Sequence, residues 1–257
     1  MMVHMDSAIS GVTNLSTMPR GGPRASCLDR LLQTDRLEYL DRDDVGEDVK
    51  RGVVRTLDRV GAILGEHDRN TRLVLDELAG VADPAILELG AGHGALSRRI
   101  LHEHPTARIT ASDVDPDAVS RLVAGDLGRD PRATLRVIDA TAIDAADDSF
   151  DLAVFALSLH HLRPESAARV LAEATRVAPV LVIIDLPRPP AALHLIRLAM
   201  MAPLAAVWPF AHDGLISSLR AYSPSALREL AARAGVEVEV RPVRYGQQVA
   251  IARRHAA

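Results

Sequence analysis

Ala85-Ile86-Leu87-Glu88-Leu89-Gly90-Ala91-Gly92-His93-Gly94-Ala95-Leu96 decides the fold: a short, mostly apolar run meets three glycines at alternate positions, and a helical pattern follows. The stretch reads as strand, tight turn and helix. Glycine takes positive φ and has no Cβ to hold a ligand away, so such a turn brings backbone close to a nucleotide-like group.

Working outward, apolar strand-like runs alternate with helical segments from Ala85 onward, the pattern of a mostly parallel sheet covered on both faces. The strands are read near 85–89, 107–112, 134–138, 150–156, 179–185, 236–241 and 244–252. Pro164 opens a helix running to about Val177 as a first-turn proline. Ser223-Pro224 forms an N-cap and first helical residue for a helix ending near Gly235. Only a few residues around Pro242 separate the last two strands, which therefore pair antiparallel.

The glycine turn alone leaves two cofactors open. Gly90-x-Gly92-x-x-Ala95 satisfies the loose dinucleotide fingerprint, which would make the chain an NAD(P)-dependent oxidoreductase. Glu88 ending the strand, Gly94 completing E-x-G-x-G-x-G, and two acids downstream favour S-adenosylmethionine, whose ammonium, ribose diol and adenine call for carboxylate and backbone acceptors.

Four blocks in order carry a family resemblance: the glycine turn, Ile109-Thr110-Ala111-Ser112-Asp113-Val114-Asp115-Pro116, Val137-Ile138-Asp139-Ala140, and Ser149-Phe150-Asp151-Leu152-Ala153-Val154 with Leu159-His160-His161-Leu162. From about Leu78 to Arg253 the chain resembles the class I S-adenosylmethionine-dependent methyltransferases of the small-molecule branch. That resemblance implies a Rossmann-like α/β fold with a doubly wound, seven-stranded, mostly parallel sheet of order 3-2-1-4-5-7-6, the last strand antiparallel. It implies S-adenosyl-L-methionine held by Glu88, Gly90, Ala91 and Gly92, by Asp113 and Val114 at the ribose, by Asp139 and Ala140 at the adenine, and by Leu157 after the fourth strand. On the residues alone, Asp113 also reads as a helix N-terminal acid and Asp139 as a turn residue.

Composition bounds the rest. With 257 residues, 48% hydrophobic and 25% charged, the chain supports one sizeable domain with a helical extension. A net charge of −4 offers no broad attraction to nucleic acid. Cys27 is the only cysteine, so no internal disulfide or cysteine zinc site forms, and a reducing cytoplasm fits. Residues 1–26 lack hydrophobic periodicity and are expected to be a disordered tail. A helical cap over 27–80 precedes the main domain at 81–257. Within the cap, Val49, Val53, Leu57, Val60 and Leu64 form a stripe that calls for burial, and Tyr39 is a candidate cofactor contact.

The insertion at 186–222, opening Pro187-Arg188-Pro189-Pro190, is strongly apolar, and Pro203 and Pro209 interrupt it. It reads as a lid over an apolar pocket and not as a membrane span; a homodimer interface or a membrane-surface contact is the rival reading. Methyl transfer asks a protein to align the acceptor, exclude water and take a proton where needed. His160, His161 and His212, the last beside Asp213, are the candidate bases, and each also reads as a structural or turn residue. His102-x-His104 lacks a third ligand, so no metal is expected there. Arg244 and Tyr245 open the last strand beside the pocket. The expected activity is methyl transfer to O, N or C of an apolar or aromatic small molecule of secondary-metabolite type, in natural product biosynthesis. A non-catalytic partner protein built on the same fold is the remaining alternative.

Overall fold

The computed structural model describes residues 14–241 and 246–254; Arg244 and Tyr245 lie outside them. The helices are α1 (Cys27–Leu31), α2 (Glu47–Ile63), α3 (Glu66–Glu77), α4 (Ala95–Glu103), α5 (Pro116–Ala124), α6 (Pro164–Val177), α7 (Ala191–Ala205), α8 (Pro209–Arg220) and α9 (Pro224–Ala234). The strands are β1 (Ala85–Leu89), β2 (Arg108–Asp113), β3 (Ala133–Val137), β4 (Leu152–Ala156), β5 (Val180–Asp185), β6 (Val236–Val240) and β7 (Gln248–Arg254). They form one seven-stranded sheet of order β3-β2-β1-β4-β5-β7-β6, in which β7 runs antiparallel to β5 and β6.

Local chemistry sets the boundaries. Pro164 occupies the first turn of α6, which ends at Val177. The Ser223 side chain accepts from the Ala226 N–H to cap α9, and Gly235 closes that helix at φ 72°. Central strands β1, β4 and β5 are buried almost throughout, as expected where both faces are covered. One core layer joins Leu87, Ala153 and Ile183 to α6 and α9 through Leu171 and Leu227. The other joins Ile86, Val154 and Val182 to α3 and α4 through Val74 and Ile100.

Two expectations are corrected. Residues 14–26 are ordered by specific contacts: Met18 and Arg20 are buried, and the Arg20 guanidinium donates to the carbonyls of His160 and Arg220 and lies over the Tyr222 ring. Polar contacts of this kind need no hydrophobic periodicity. The α2 stripe buries only in part, because α2 packs against α3 and α8 along one narrow seam centred on Val53, leaving Val49, Leu57 and Leu64 exposed. Among the described residues no helix is long and apolar enough to cross a membrane.

Candidate active site at the carboxyl edge of the sheet

The turn after β1 is built from both sides. Gly90, Gly92 and Gly94 all take positive φ, at 62°, 54° and 76°. The Ala91 N–H donates to the Ser112 carbonyl (2.8 Å), and the Ser112 hydroxyl donates to the Glu88 carbonyl (2.8 Å), tying the turn to β2. Asp113 completes the clasp. Its Oδ2 accepts from the Gly92 N–H (2.9 Å) and its Oδ1 from the Asp115 N–H (3.0 Å). Each carboxylate oxygen keeps further lone-pair capacity for a diol.

The glycines differ in what surrounds them. A Cβ on Gly90 would lie 2.8 Å from Ser158 Oγ, and one on Gly94 would lie 2.5 Å from Leu127 and 2.7 Å from Leu122. A Cβ on Gly92 would meet nothing within 4 Å. The first and third glycines let the turn pack; the second opens onto the free space of a cradle.

The other expected cofactor residues are spread around this edge. Glu88 is buried beneath the turn, where it accepts from the Ser97 hydroxyl of α4 and so supports the cradle from behind. Burial, opposed by that hydrogen bond, raises its pKa from 4.5 to about 7. A carboxyl favoured in its neutral form makes stability fall as pH rises from about 4.5 to 7. Glu88→Gln is therefore expected to stabilise the protein at pH 8 by about 1–3 kcal/mol and to change little at pH 5; urea unfolding at the two pH values checks this. Val114 is exposed beside Asp113. Asp139 is exposed, with Oδ1 accepting from the Thr141 N–H and hydroxyl (both 2.8 Å), a local turn that presents the carboxylate and the following Ala140 at the end of β3. Leu157, just past β4, holds φ 52°, a left-handed conformation costly for a branched side chain. Its N–H donates to the Ile184 carbonyl (2.7 Å).

Beside this edge lies a cluster of histidines and carboxylates. His160 and His161 form a short 3-10 turn after β4, with ring centroids 4.2 Å apart. His160 Nδ1 pairs with Asp185 Oδ1 at the end of β5 (2.6 Å), and its N–H donates to Asp185 Oδ2 (3.0 Å). Nε2 of His160 lies 3.3 Å from Glu38 Oε1 without a well-directed hydrogen bond. Burial opposes the imidazolium, but Asp185 and Glu38 outweigh it and raise His160 to about 9. Both ring nitrogens of the buried His160 thus face carboxylates. His161 is half-buried, with Nδ1 2.9 Å from Asp41 Oδ2 and Nε2 3.9 Å from Glu38 Oε2.

His212 belongs to α8. It contacts Asp213 Oδ1 at 3.0 Å and stacks on Tyr39, whose N–H donates to the same Asp213 oxygen (2.8 Å). Tyr39 is thus tied into the cap-insertion seam, where its ring covers His212. The insertion itself folds as α7 and α8. Helix α8 packs on α2 and on the His160-His161 turn, whereas α7 leaves Leu193, Leu195, Ile196, Met200 and Leu204 exposed. Sequence reasoning missed Glu38, Asp41, Asp185 and Arg220. Asp185 alone carried a signal, as an acid at the carboxyl end of a strand.

Residues 86–179 match the family profile described as "Methyltransferase domain". The chain is 36% identical over 98 residues to a malonyl-[acyl-carrier protein] O-methyltransferase of Geobacter sulfurreducens, covering 38% of this chain and 36% of that one. Over 87 residues it is 41% identical to a ribosomal RNA small subunit methyltransferase A of Anaeromyxobacter sp., covering 32% and 29%. The chain thus spans about a third of the length of these relatives. Human N-acetylserotonin methyltransferase, solved with S-adenosylmethionine, shares the fold with TM-score 0.58 and 17% identity over 89% of this chain and 66% of that one. Residues 86–179 thus match a methyltransferase domain, and the fold around them is the one seen in the N-acetylserotonin methyltransferase.

Proposed function

We propose that this protein transfers the methyl group of S-adenosylmethionine to an oxygen, nitrogen or carbon of an apolar, aromatic small molecule. The observation that carries the reading is the cradle: a turn of three left-handed glycines, latched to Asp113 through the Gly92 N–H, with free space above Gly92. Such a site takes a ligand against bare backbone with a carboxylate alongside, and an S-adenosylmethionine of this shape and charge fits it. When bound, the cofactor supplies an electrophilic methyl carbon on a sulfonium, which leaves as a neutral thioether as the acceptor forms its new bond. Gly90, Ala91 and Gly92 hold the backbone close, Asp113 and Val114 flank the ribose, and Asp139 and Ala140 border the adenine. Leu157 forms the lip facing the acceptor.

The acceptor class rests on the cap and insertion. The insertion carries an exposed aliphatic face on α7, formed by Leu193, Leu195, Ile196, Met200 and Leu204, and the net charge of −4 offers no general attraction for RNA. A small-molecule enzyme, the N-acetylserotonin methyltransferase, shares the fold. The protein acts in the cytoplasm in natural product biosynthesis, without nucleic acid or stable membrane insertion, and the exposed face of α7 is the surface a homodimer would use. Methyl-labelled S-adenosylmethionine added to lysate of the producing organism tests this. Enzyme-dependent label is expected in the organic extract; label in RNA or in protein would overturn the acceptor class.

A further inference from the structure

We propose that Glu38, His160 and His161 form a binding site for a transition-metal dication of the zinc class, with Asp185 and Asp41 orienting the two imidazoles. One ligand atom from each of the three lies within 4.8 Å of the other two. Both Nδ1 atoms are committed to carboxylates: His160 to Asp185 at 2.6 Å and His161 to Asp41 at 2.9 Å. That arrangement fixes both rings and leaves both Nε2 atoms as the ligating nitrogens, the carboxylate-histidine pattern that supports protein metal sites. Both Nε2 atoms face the same Glu38 carboxylate, at 3.3 and 3.9 Å.

The shorter distance, 3.3 Å, matches the spacing of two ligands on a shared tetrahedral ion, and the longer, 3.9 Å, needs a small movement of His161 toward Glu38 to match it. Ligands about 2.0–2.1 Å from a tetrahedral zinc are separated by about 3.3–3.4 Å. A simple latch would show hydrogen bonds from the imidazoles to Glu38. Instead the longer approach is beyond hydrogen-bond reach, and the shorter, at 3.3 Å, is an ion-pair contact without hydrogen-bond geometry at the buried Nε2 of His160. Two imidazoles and one carboxylate select zinc-like ions over magnesium or calcium, which prefer oxygen alone. Three protein ligands would leave a fourth position open, and half-buried His161 is the most exposed of the three.

The surroundings balance the charge. Ser217 donates to Glu38 Oε1 (2.7 Å) from α8. Arg220 contacts the carbonyls of both histidines and reaches Asp41 (3.4 Å), and Arg20 donates to the His160 carbonyl (2.9 Å). Three carboxylates, Glu38, Asp41 and Asp185, therefore stand against these two guanidiniums. A dication that displaces the imidazole proton is accommodated without a large excess of charge.

The test uses the full-length, tag-free protein without S-adenosylmethionine, so its outcome is separate from that of the methyl-transfer reading. Zn2+ bound after dialysis is measured by elemental analysis, and Co2+ is titrated while its visible d-d absorption is followed. The wild type is expected to bind one equivalent with the intense bands of low-coordinate Co2+. His161→Ala and Glu38→Gln should weaken binding at least about 100-fold, and Asp41→Asn about 10–100-fold. His102→Ala/His104→Ala, altering the pair at the C-terminal end of α4, should change nothing. Circular dichroism verifies that each variant is folded. Wild-type binding no tighter than in folded Glu38→Gln, or binding lost only with His102 and His104, would overturn the site and leave the cluster an ion-pair latch.

Discussion

Gly92→Val is expected to abolish measurable S-adenosylmethionine binding in a protein that still folds. The new side chain has no protein atom to meet, since even a Cβ at this position finds nothing within 4 Å. It projects into the space proposed for the cofactor. The left-handed φ of 54° adds a conformational cost of about 1–2 kcal/mol, which a domain of this size tolerates. Filling the cradle should lower affinity at least about 100-fold, a loss of about 2.7 kcal/mol. Calorimetric titration measures it, with thermal unfolding as the control.

Gly94→Val makes the contrast that gives this result its meaning. Here a Cβ drives into Leu127 and Leu122, both buried in the core behind the turn. Overpacking and the left-handed strain together should destabilise by roughly 2–5 kcal/mol, with binding lost only as the fold is lost. If Gly92→Val unfolds the chain as readily as Gly94→Val, or binds cofactor normally, the cradle is misplaced. Asp113→Ala provides an independent check. It removes both the acceptor latching the Gly92 N–H and the carboxylate proposed for the ribose, and should weaken binding without disturbing the core.

The contrast between neighbouring glycines shows what sequence can and cannot deliver. Strand, turn and helix were legible at 85–96 because period, glycine spacing and helix onset all point the same way. Caps at Pro164, Ser223 and Gly235 were legible for the same reason: each acts within one helical turn. Which glycine faces the cradle and which faces Leu127 depends on packing against α5 and the turn after it, and no local pattern records that. The histidine cluster was half legible. The His160-His161 pair is contiguous, but its carboxylates come from 25 to more than 120 residues away, and the segment bearing Glu38 and Asp41 has no periodicity to announce an ordered strap. For α2 the error ran the other way: its stripe is genuine, but amphipathicity states which face is apolar and not how much of that face finds a partner.

Asp185→Asn is expected to be among the most destabilising single substitutions outside the hydrophobic core. Asp185 is buried at 5% exposure, and its two oxygens accept from the His160 N–H, the His160 ring and the Leu186 N–H (3.0, 2.6 and 2.7 Å). Burial opposes its ionisation, yet the facing His160 imidazolium and these hydrogen bonds hold its pKa below the ordinary value. Asparagine keeps the shape but replaces one acceptor oxygen with a donor, facing either a backbone N–H or a charged ring. Removing one member of a buried pair leaves the other uncompensated, a cost of about 3–5 kcal/mol. For a domain of this length that lowers Tm by roughly 6–20 °C. Glu38→Gln should cost about 1–2 kcal/mol, because glutamine still accepts from Ser217 and the approach to His160 is not a directed hydrogen bond. Denaturant unfolding of the two variants in parallel tests the ranking. Equal losses would mean that the strap bearing Glu38 holds His160 as firmly as β5 does. A much larger loss for Asp185→Asn would identify the β5 carboxylate as the fixed anchor of the cluster, with Glu38 as the partner free to turn toward an ion or an acceptor.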